Sequence, residues 1–443
     1  MHLNRRDFLK TTAAATLAFA PGIGAAKVGK DQPTDEEILS QCPARIEQYR
    51  QSAGQIRLRD SQGRPVVGAP IRLEQLRHDF RFGSNAFMLD HVGDPDLEAQ
   101  YRRRFATVFN FATLGFYWAN YEAKRGQPNY EYTDRVVAWC REQGITCKGH
   151  PLVWDHPAGS PDWLPESDAE LEALSTARVR EIIARYQGRI DVWDVVNEAT
   201  HIPEGANQTR MARWAKRLGP VEYVTKHLRV ARAAHPTATL LVNDYRHDAP
   251  YLKLLRSVSD ESKSLFDVVG LQTHMHDRVW PLSTVWRVGD AYAELGRPLH
   301  FTETTILSGP RLGPGENWGD TTAEGEARQA EQTANLYTAL FAHPAVEAIT
   351  WWDFSDRGAW QRAPAGWLRR DMSPKPVYER LKTLIREQWW SKLEGRSDAA
   401  GAMSVRAFHG THRITVKTPD DRTITKEVQW RPGAKNQIDI ELS

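Results

Sequence analysis

Apolar and polar residues alternate at both ends of the chain and stop alternating in the middle. Residues 55–60 and 71–76, joined by the turn Ser61-Gln-Gly-Arg-Pro65, predict two half-exposed antiparallel strands. Residues 413–417, 422–430 and 437–441 repeat the alternation around Pro419-Asp420-Asp421 and Pro432-Gly433. A lone hairpin is marginal in water, so the two ends are expected to pair into one small sheet. Residues 32–49 are polar and Pro-containing, with one or two amphipathic turns.

The middle of the chain carries eight short apolar segments: 80–86, 108–114, 145–153, 190–196, 239–243, 267–273, 299–302 and 348–352. Helical stretches separate them. Strands that are apolar on both faces belong to a parallel sheet covered by helices. Eight of them predict an α/β fold, a closed (β/α)8 TIM barrel, with a small β-sheet module built from both chain ends. The expected division is 27–79 for the N-terminal linker and module strands, 80–394 for the barrel and 395–443 for the C-terminal module strands.

Arg5-Arg6-Asp7-Phe8-Leu9-Lys10 precedes a mildly apolar, Ala-rich run that ends near Gly24-Ala25-Ala26. Basic pair, apolar run and small residues in that order predict a twin-arginine-type export signal over residues 1–26. The run is too short for a convincing spanning helix, so no membrane association is expected after cleavage. The expected location is periplasmic or extracellular. Cleavage removes Arg5, Arg6, Lys10 and Asp7, which takes the net charge from +2 to zero. A neutral protein excludes nucleic acid as the expected partner and suits an uncharged one. Three cysteines, Cys42, Cys140 and Cys147, cannot form a complete disulfide framework and are expected as buried free thiols. The 443 residues include 16 Trp, 13 Tyr and 14 Phe, flat amphipathic rings that suit a sugar groove as well as a core. A monomer is expected.

The candidate chemistry lies at strand ends. The fourth strand runs out in Asn197-Glu198 and the seventh in Glu303. Carboxylates at the C-terminal mouth of a barrel occupy the position where such folds place catalytic groups. A pair of them can cleave a glycosidic bond: one protonates the leaving oxygen, the other attacks or activates water.

The motifs extend beyond these two acids. Trp193-Asp-Val-Val-Asn-Glu-Ala199, Phe109-Asn110, Gly149-His-Pro-Leu-Val-Trp154 with Pro161-Asp-Trp163, Asn243-Asp-Tyr245, Gly270-Leu-Gln-Thr-His274, Thr302-Glu303, Trp351-Trp352-Asp-Phe-Ser-Asp356 with Trp360, and Pro374-Lys-Pro376-Val-Tyr378 follow in order. Together, over about residues 80–385, they resemble glycoside hydrolase family 10, the xylanase family. The resemblance implies Glu198 as acid/base and Glu303 as nucleophile of a retaining double displacement on β-1,4-linked xylan or a related β-glycan. It implies Asn197 on the sugar 2-hydroxyl, His274 on Glu303, His150 and Trp154 on the glycone side, and Trp352 and Trp360 as an aromatic wall. Tyr245 completes the expected substrate-binding set. No cofactor is expected, and a poly- or oligosaccharide is the expected partner.

Two departures fall on substrate subsites. The family's Glu-Asn-Glu-x-Lys-Trp segment, which binds the distal sugar, is replaced here by Leu114-Gly-Phe-Tyr-Trp-Ala-Asn-Tyr-Glu122. Gly115, Phe116 and Ala119 stand for its hydrogen-bonding residues, and Phe116, Tyr117 and Trp118 either rebuild that side, close it, or point into the barrel wall. The loop from Asp155 to Pro161 is two residues longer than usual and lacks the family's Gln. Two other readings stay open: a carbohydrate-binding barrel without turnover, and a metal-dependent hydrolase using His274-Met-His276-Asp277, although no further ligand cluster is visible and no metal is expected.

Overall fold

The computed structural model describes residues 33–260, 263–310, 312, 318–418 and 421–442. The expected export signal lies outside the described residues. Eight strands form the closed barrel: β3 Arg81–Asn85, β4 Phe111–Gly115, β5 Thr146–His150, β6 Val192–Asn197, β7 Thr239–Asp244, β8 Val268–Met275, β9 Leu299–Ile306 and β10 Val346–Trp351. Each pairs in parallel with its sequence neighbours, and β10 closes on β3. β6 and β9 are buried at every position, which is why their sequences show no alternation. Gly149 in β5 lets the Trp193 ring of β6 lie against the backbone: a Cβ there would come within 2.1 Å of the indole. The intervening helices include Pro95–Val108, Tyr130–Glu142, Asp168–Tyr186, Pro220–Ala234, Leu282–Ala293 and Ala323–Ala342.

All eight expected strands are present, with three shifted bounds that matter for the site. The second expected strand, 108–114, starts later, because Val108 is the last residue of a helix and Phe109 caps it. The third, 145–153, ends at His150; Val153 only bridges to Val196. The seventh continues four residues past Thr302, so Glu303 lies inside the strand and not beyond its end.

Residues Asp35–Arg50, expected as a mostly polar linker, form a 16-residue helix with a Thr34–Glu37 capping box. Ile38, Cys42 and Ile46 are buried on one stripe that joins the barrel's core. Arg50 ties the helix end to the barrel, its guanidinium donating to the carbonyls of Phe341 at 2.6 Å and Val346 at 2.8 Å. One apolar residue per four is a thin signal in sequence, which is why the segment reads as polar. Cys42, Cys140 and Cys147 are buried free thiols.

The expectation of a single sheet from the chain ends is corrected: there are two. β1 Gln51–Asp60 lies between β12 Ala402–Phe408, antiparallel, and β15 Gln437–Leu442, parallel. β2 Pro70–His78 lies between β11 Lys392–Arg396 and β13 Gly410–Lys417, with β14 Thr423–Trp430 at the edge. Ile56, Leu58, Leu73, Ile414, Val416 and Trp430 from both sheets share one core. Alternating strands are apolar on one face, and two such faces bury each other, whereas one sheet would leave its face wet. β11 and β12 escaped the pattern reading, and β11 spans the boundary expected at 394/395. Among the described residues no helix is long and apolar enough to cross a membrane.

Candidate active site

Glu198 is the first residue past β6. Its backbone is left-handed, at φ 57° and ψ 42°, a conformation disfavoured for a residue with a Cβ. The turn reverses the chain into the short helical turn Ala199–Glu204, and the Glu198 N–H donates to the Asn243 carbonyl at 2.7 Å. Trp154 Nε1 donates to one carboxylate oxygen at 3.1 Å and Gln272 Nε2 to the other at 3.0 Å. Glu303 sits at a bulge in β9, where Thr302 is the extra residue against β8. It accepts from Asn243 Nδ2 at 2.8 Å and lies 3.1 Å from His274 Nε2, while His150 Nε2 is 3.8 Å away.

One amide joins the two halves. Asn243 Nδ2 also donates to Asn197 Oδ1 at 2.8 Å, and Thr302 Oγ1 donates to Asn243 Oδ1 at 2.5 Å. Gln272 Nε2 lies 3.3 Å from the same Asn197 oxygen. Beneath them, Asp194 takes Lys148 Nζ at 2.6 Å and pairs with His150 Nδ1 at 2.8 Å, all three buried. These side chains come from β5 to β9 or from the residues just past them, with Lys148 and Asp194 in the middle of their strands and the others toward the C-terminal mouth.

The two acids are equally enclosed but titrate apart. Burial pushes Glu198 up to about 8; His201 and the Gln272 hydrogen bond oppose this, and the charges of Glu303 and Asp244 add to it. Burial also pushes Glu303 up, but the His274 hydrogen bond and the charges of His150, His274 and Lys148 outweigh it and hold the carboxyl below its usual range. At neutral pH the pair is therefore one acid and one carboxylate, the division of labour a glycosidase needs.

The structure places the other expected residues around this pair. Trp352 stands edge-on to His150 and His274, with ring centroids at 5.4 and 5.9 Å. Trp360 packs on His274 at 4.9 Å. Trp154 stacks on His156 at 4.2 Å, and Tyr245 lies along His201 at 6.3 Å. Of the three aromatic residues that replace the distal-sugar segment, Phe116 and Trp118 are buried in the wall, against Trp193 and Trp163. Only Tyr117 turns to the mouth, between His150, Trp154 and Phe87. The motif His274-Met-His276-Asp277 divides: His274 serves Glu303, while His276 packs on Trp360 at 5.1 Å. Among the described residues no group of three or more His, Cys, Asp or Glu is arranged to hold a metal.

Sequence reasoning placed Asn243, Gln272, Asp194 and Asp353 in motifs but gave them no role, and passed over Lys148. The signal was present: each is a polar residue in or just past a buried strand, where burial demands a partner. Asp353 follows Trp352, accepts the Trp360 N–H at 3.1 Å, and is pushed up to about 7 by burial and by the charges of Asp356 and Glu303.

An eight-stranded parallel barrel with this divided pair of carboxylates at its mouth suits the two-carboxylate chemistry of glycoside hydrolysis. The chain belongs to glycosyl hydrolase family 10, whose profile matches residues 78–384. A twin-arginine translocation pathway signal sequence matches residues 2–22, so the protein carries an export signal. Endo-1,4-beta-xylanase B of Thermotoga neapolitana is 27% identical over 326 residues, covering 70% of this chain and 88% of that protein. Anti-sigma-I factor RsgI6 of Acetivibrio thermocellus is 25% identical over 393 residues, covering 87% of this chain and 47% of that protein. The chain thus spans less than half of the latter relative. Among solved structures, xylanase 10B of Thermotoga petrophila RKU-1 in complex with xylobiose shares the fold, with a TM-score of 0.60 at 24% identity over 70% of this chain and 95% of that one.

Proposed function

We propose that the protein is an exported retaining hydrolase of β-1,4-linked xylan or a related β-glycan, acting in the periplasm or outside the cell. The observation that carries this reading is the division of the carboxylates, Glu198 raised to about 8 and Glu303 lowered, within one enclosed hydrogen-bonded site. The Glu303 carboxylate attacks the anomeric carbon while Glu198 gives its proton to the leaving oxygen, leaving a glycosyl ester on Glu303. Glu198, now a carboxylate, takes a proton from water, which attacks the anomeric carbon and releases Glu303. Asn197 uses Oδ1 toward Asn243 and Gln272, which leaves its NH2 for the sugar 2-hydroxyl. Trp352 and Trp360 supply stacking faces for a neutral chain. Proton NMR of an aryl β-xyloside digest tests the reading: the β-anomer should appear first. An α-anomer as first product, or binding without turnover on any β-glycan, overturns it.

The kcat/KM profile should show its alkaline limb near pH 8. Glu198 must be protonated for the first step, so activity is present below its raised pKa and lost as pH rises through it. A limb below pH 6 contradicts the assignment.

Plain linear xylan is expected to be a weak substrate. Gly115 and Ala119 offer no hydrogen bond where the family grips the distal sugar, and Phe116 and Trp118 are committed to the wall. A lost charge-assisted hydrogen bond costs about 1.5–3 kcal/mol, one to two decades in binding. Stacking on Tyr117 restores part of this without the same directional preference. The comparison is kcat/KM on unsubstituted xylohexaose beside decorated xylo-oligosaccharides. A value near about 10⁶ M⁻¹s⁻¹ on the plain substrate, well within the ordinary enzyme range, shows the replacements to be harmless.

A further inference from the structure

His201 is a buried group that the two-carboxylate chemistry does not use. It lies three residues after Glu198 on the turn Ala199–Glu204 and is 2% exposed. Its Nε2 is 2.9 Å from Asp155 Oδ1, itself buried at 3% exposure, and Asn207 Nδ2 donates to the same oxygen at 3.1 Å. The ring lies nearly parallel to Tyr245, at 25°. Its Nδ1 is buried with no hydrogen-bond partner. A histidine kept only for packing has no need of a buried carboxylate on its one paired nitrogen, since burying that charge is costly unless it is matched.

The charges around it explain what the pair does. Asp155 and His156 face it from the loop after β5, Glu198 from the end of β6, and Asp244 and Tyr245 from the end of β7; Glu204 lies on its own turn and pairs with Arg246. Burial holds His156 neutral, with its pKa down at about 4. Arg246 is spent on Asp248 and Glu204, and Asp244 is occupied by the Thr200 N–H and hydroxyl at 3.0 and 2.7 Å. Burial lowers the affinity of His201 for a proton, but the Asp155 hydrogen bond and the charges of Asp155, Glu198 and Asp244 outweigh it and raise its pKa to about 9.

We propose that the Asp155–His201 pair is a positioning device that holds a positive charge on the turn that Glu198 opens, so that this carboxyl can stand as a base in the second step. The inference rests on the reading of Glu198 as acid/base. Burial, Glu303 and Asp244 all push Glu198 toward keeping its proton, and His201 is the charge that opposes them. Without it the first step retains its acid, but the second loses the carboxylate that activates water.

The test uses the full chain with His201→Gln, Asp155→Asn and His201→Lys, on a dinitrophenyl β-xylobioside whose leaving group needs no acid, and on a poor-leaving-group analogue. In His201→Gln the alkaline limb on the poor-leaving-group substrate should move up by roughly one pH unit, the size of effect one adjacent charge produces. On the activated substrate, kcat at pH 6.5 should fall about tenfold with the burst rate unchanged, and azide should restore it. Asp155→Asn should act in the same direction, and His201→Lys should return the limb toward wild type. Unmoved limbs in both neutral variants, or equal slowing of both steps with no pH shift, overturn the proposal. Glu198→Ala in the same assays separates the two readings. If it lacks azide rescue, the acid/base assignment fails; if it is rescued while His201→Gln shifts nothing, only the role of His201 fails.

Discussion

Glu303→Ala is expected to lower kcat on an aryl β-xyloside by on the order of 10⁴–10⁶-fold, the scale seen when a catalytic nucleophile is removed. Of the two acids, Glu198 and Glu303, the site is built so that Glu303 stays ionised. Its neighbours His274, His150 and Lys148 favour the charged form, and Asn243 and His274 fix its two oxygens from either side. Glu198 and Asp353 are both raised, to about 8 and about 7, and Asp194, also held ionised, is occupied by Lys148 and His150. The substitution strands the hydrogen-bonding groups of Asn243 and His274, at about 1–3 kcal/mol each for a buried unsatisfied group. A melting curve should therefore show a folded, somewhat less stable protein. Retention of more than about one per cent of the wild-type kcat would remove Glu303 from the mechanism.

Deleting residues 402–443 is expected to make the protein insoluble or to lower its melting temperature sharply. The deletion removes β12 to β15, leaving β1 without a partner and β2 with β11 alone. Ile56, Leu58, Ile71 and Leu73, at most 2% exposed, would face water on bare strand edges. The damage also reaches the barrel, because Phe408 packs on Phe341 and His78 at the base of the barrel wall. Trp430→Ala is the milder probe. Its indole covers Gly54, where a Cβ would lie 2.2 Å from the ring, and its Nε1 donates to the Ser52 carbonyl at 2.9 Å. Loss of such a buried ring costs about 3–5 kcal/mol. A truncated chain as soluble and heat-stable as the full one contradicts this packing.

Much of the barrel was legible because its strands are locally coded. Residues 190–196 and 239–243 are apolar without alternation, and burial on both faces is the physical cause of that pattern. The acids were legible for a related reason: a polar residue where such a run stops stands at the mouth. The helix Asp35–Arg50 was not legible, since a stripe of Ile38, Cys42 and Ile46 leaves most of the segment polar. The two-sheet module was not either. Alternation says that a strand has one dry face, but not which other strand covers it.

By itself the sequence determined eight buried strands, an export signal, and carboxylates at the ends of the fourth and near the end of the seventh. These are properties of one segment at a time, set by local periodicity and by which residues end a run. Only the tertiary structure decided that Phe116 and Trp118 enter the wall while Tyr117 turns to the mouth, because three adjacent aromatics carry no period that distinguishes them. It also decided that Glu198 keeps its proton and Glu303 does not. That difference comes from Lys148, His150 and His274 gathered around Glu303, while burial dominates at Glu198 and only His201 and the Gln272 hydrogen bond oppose it. A pKa depends on charges brought together from different strands, and no single stretch of chain contains them.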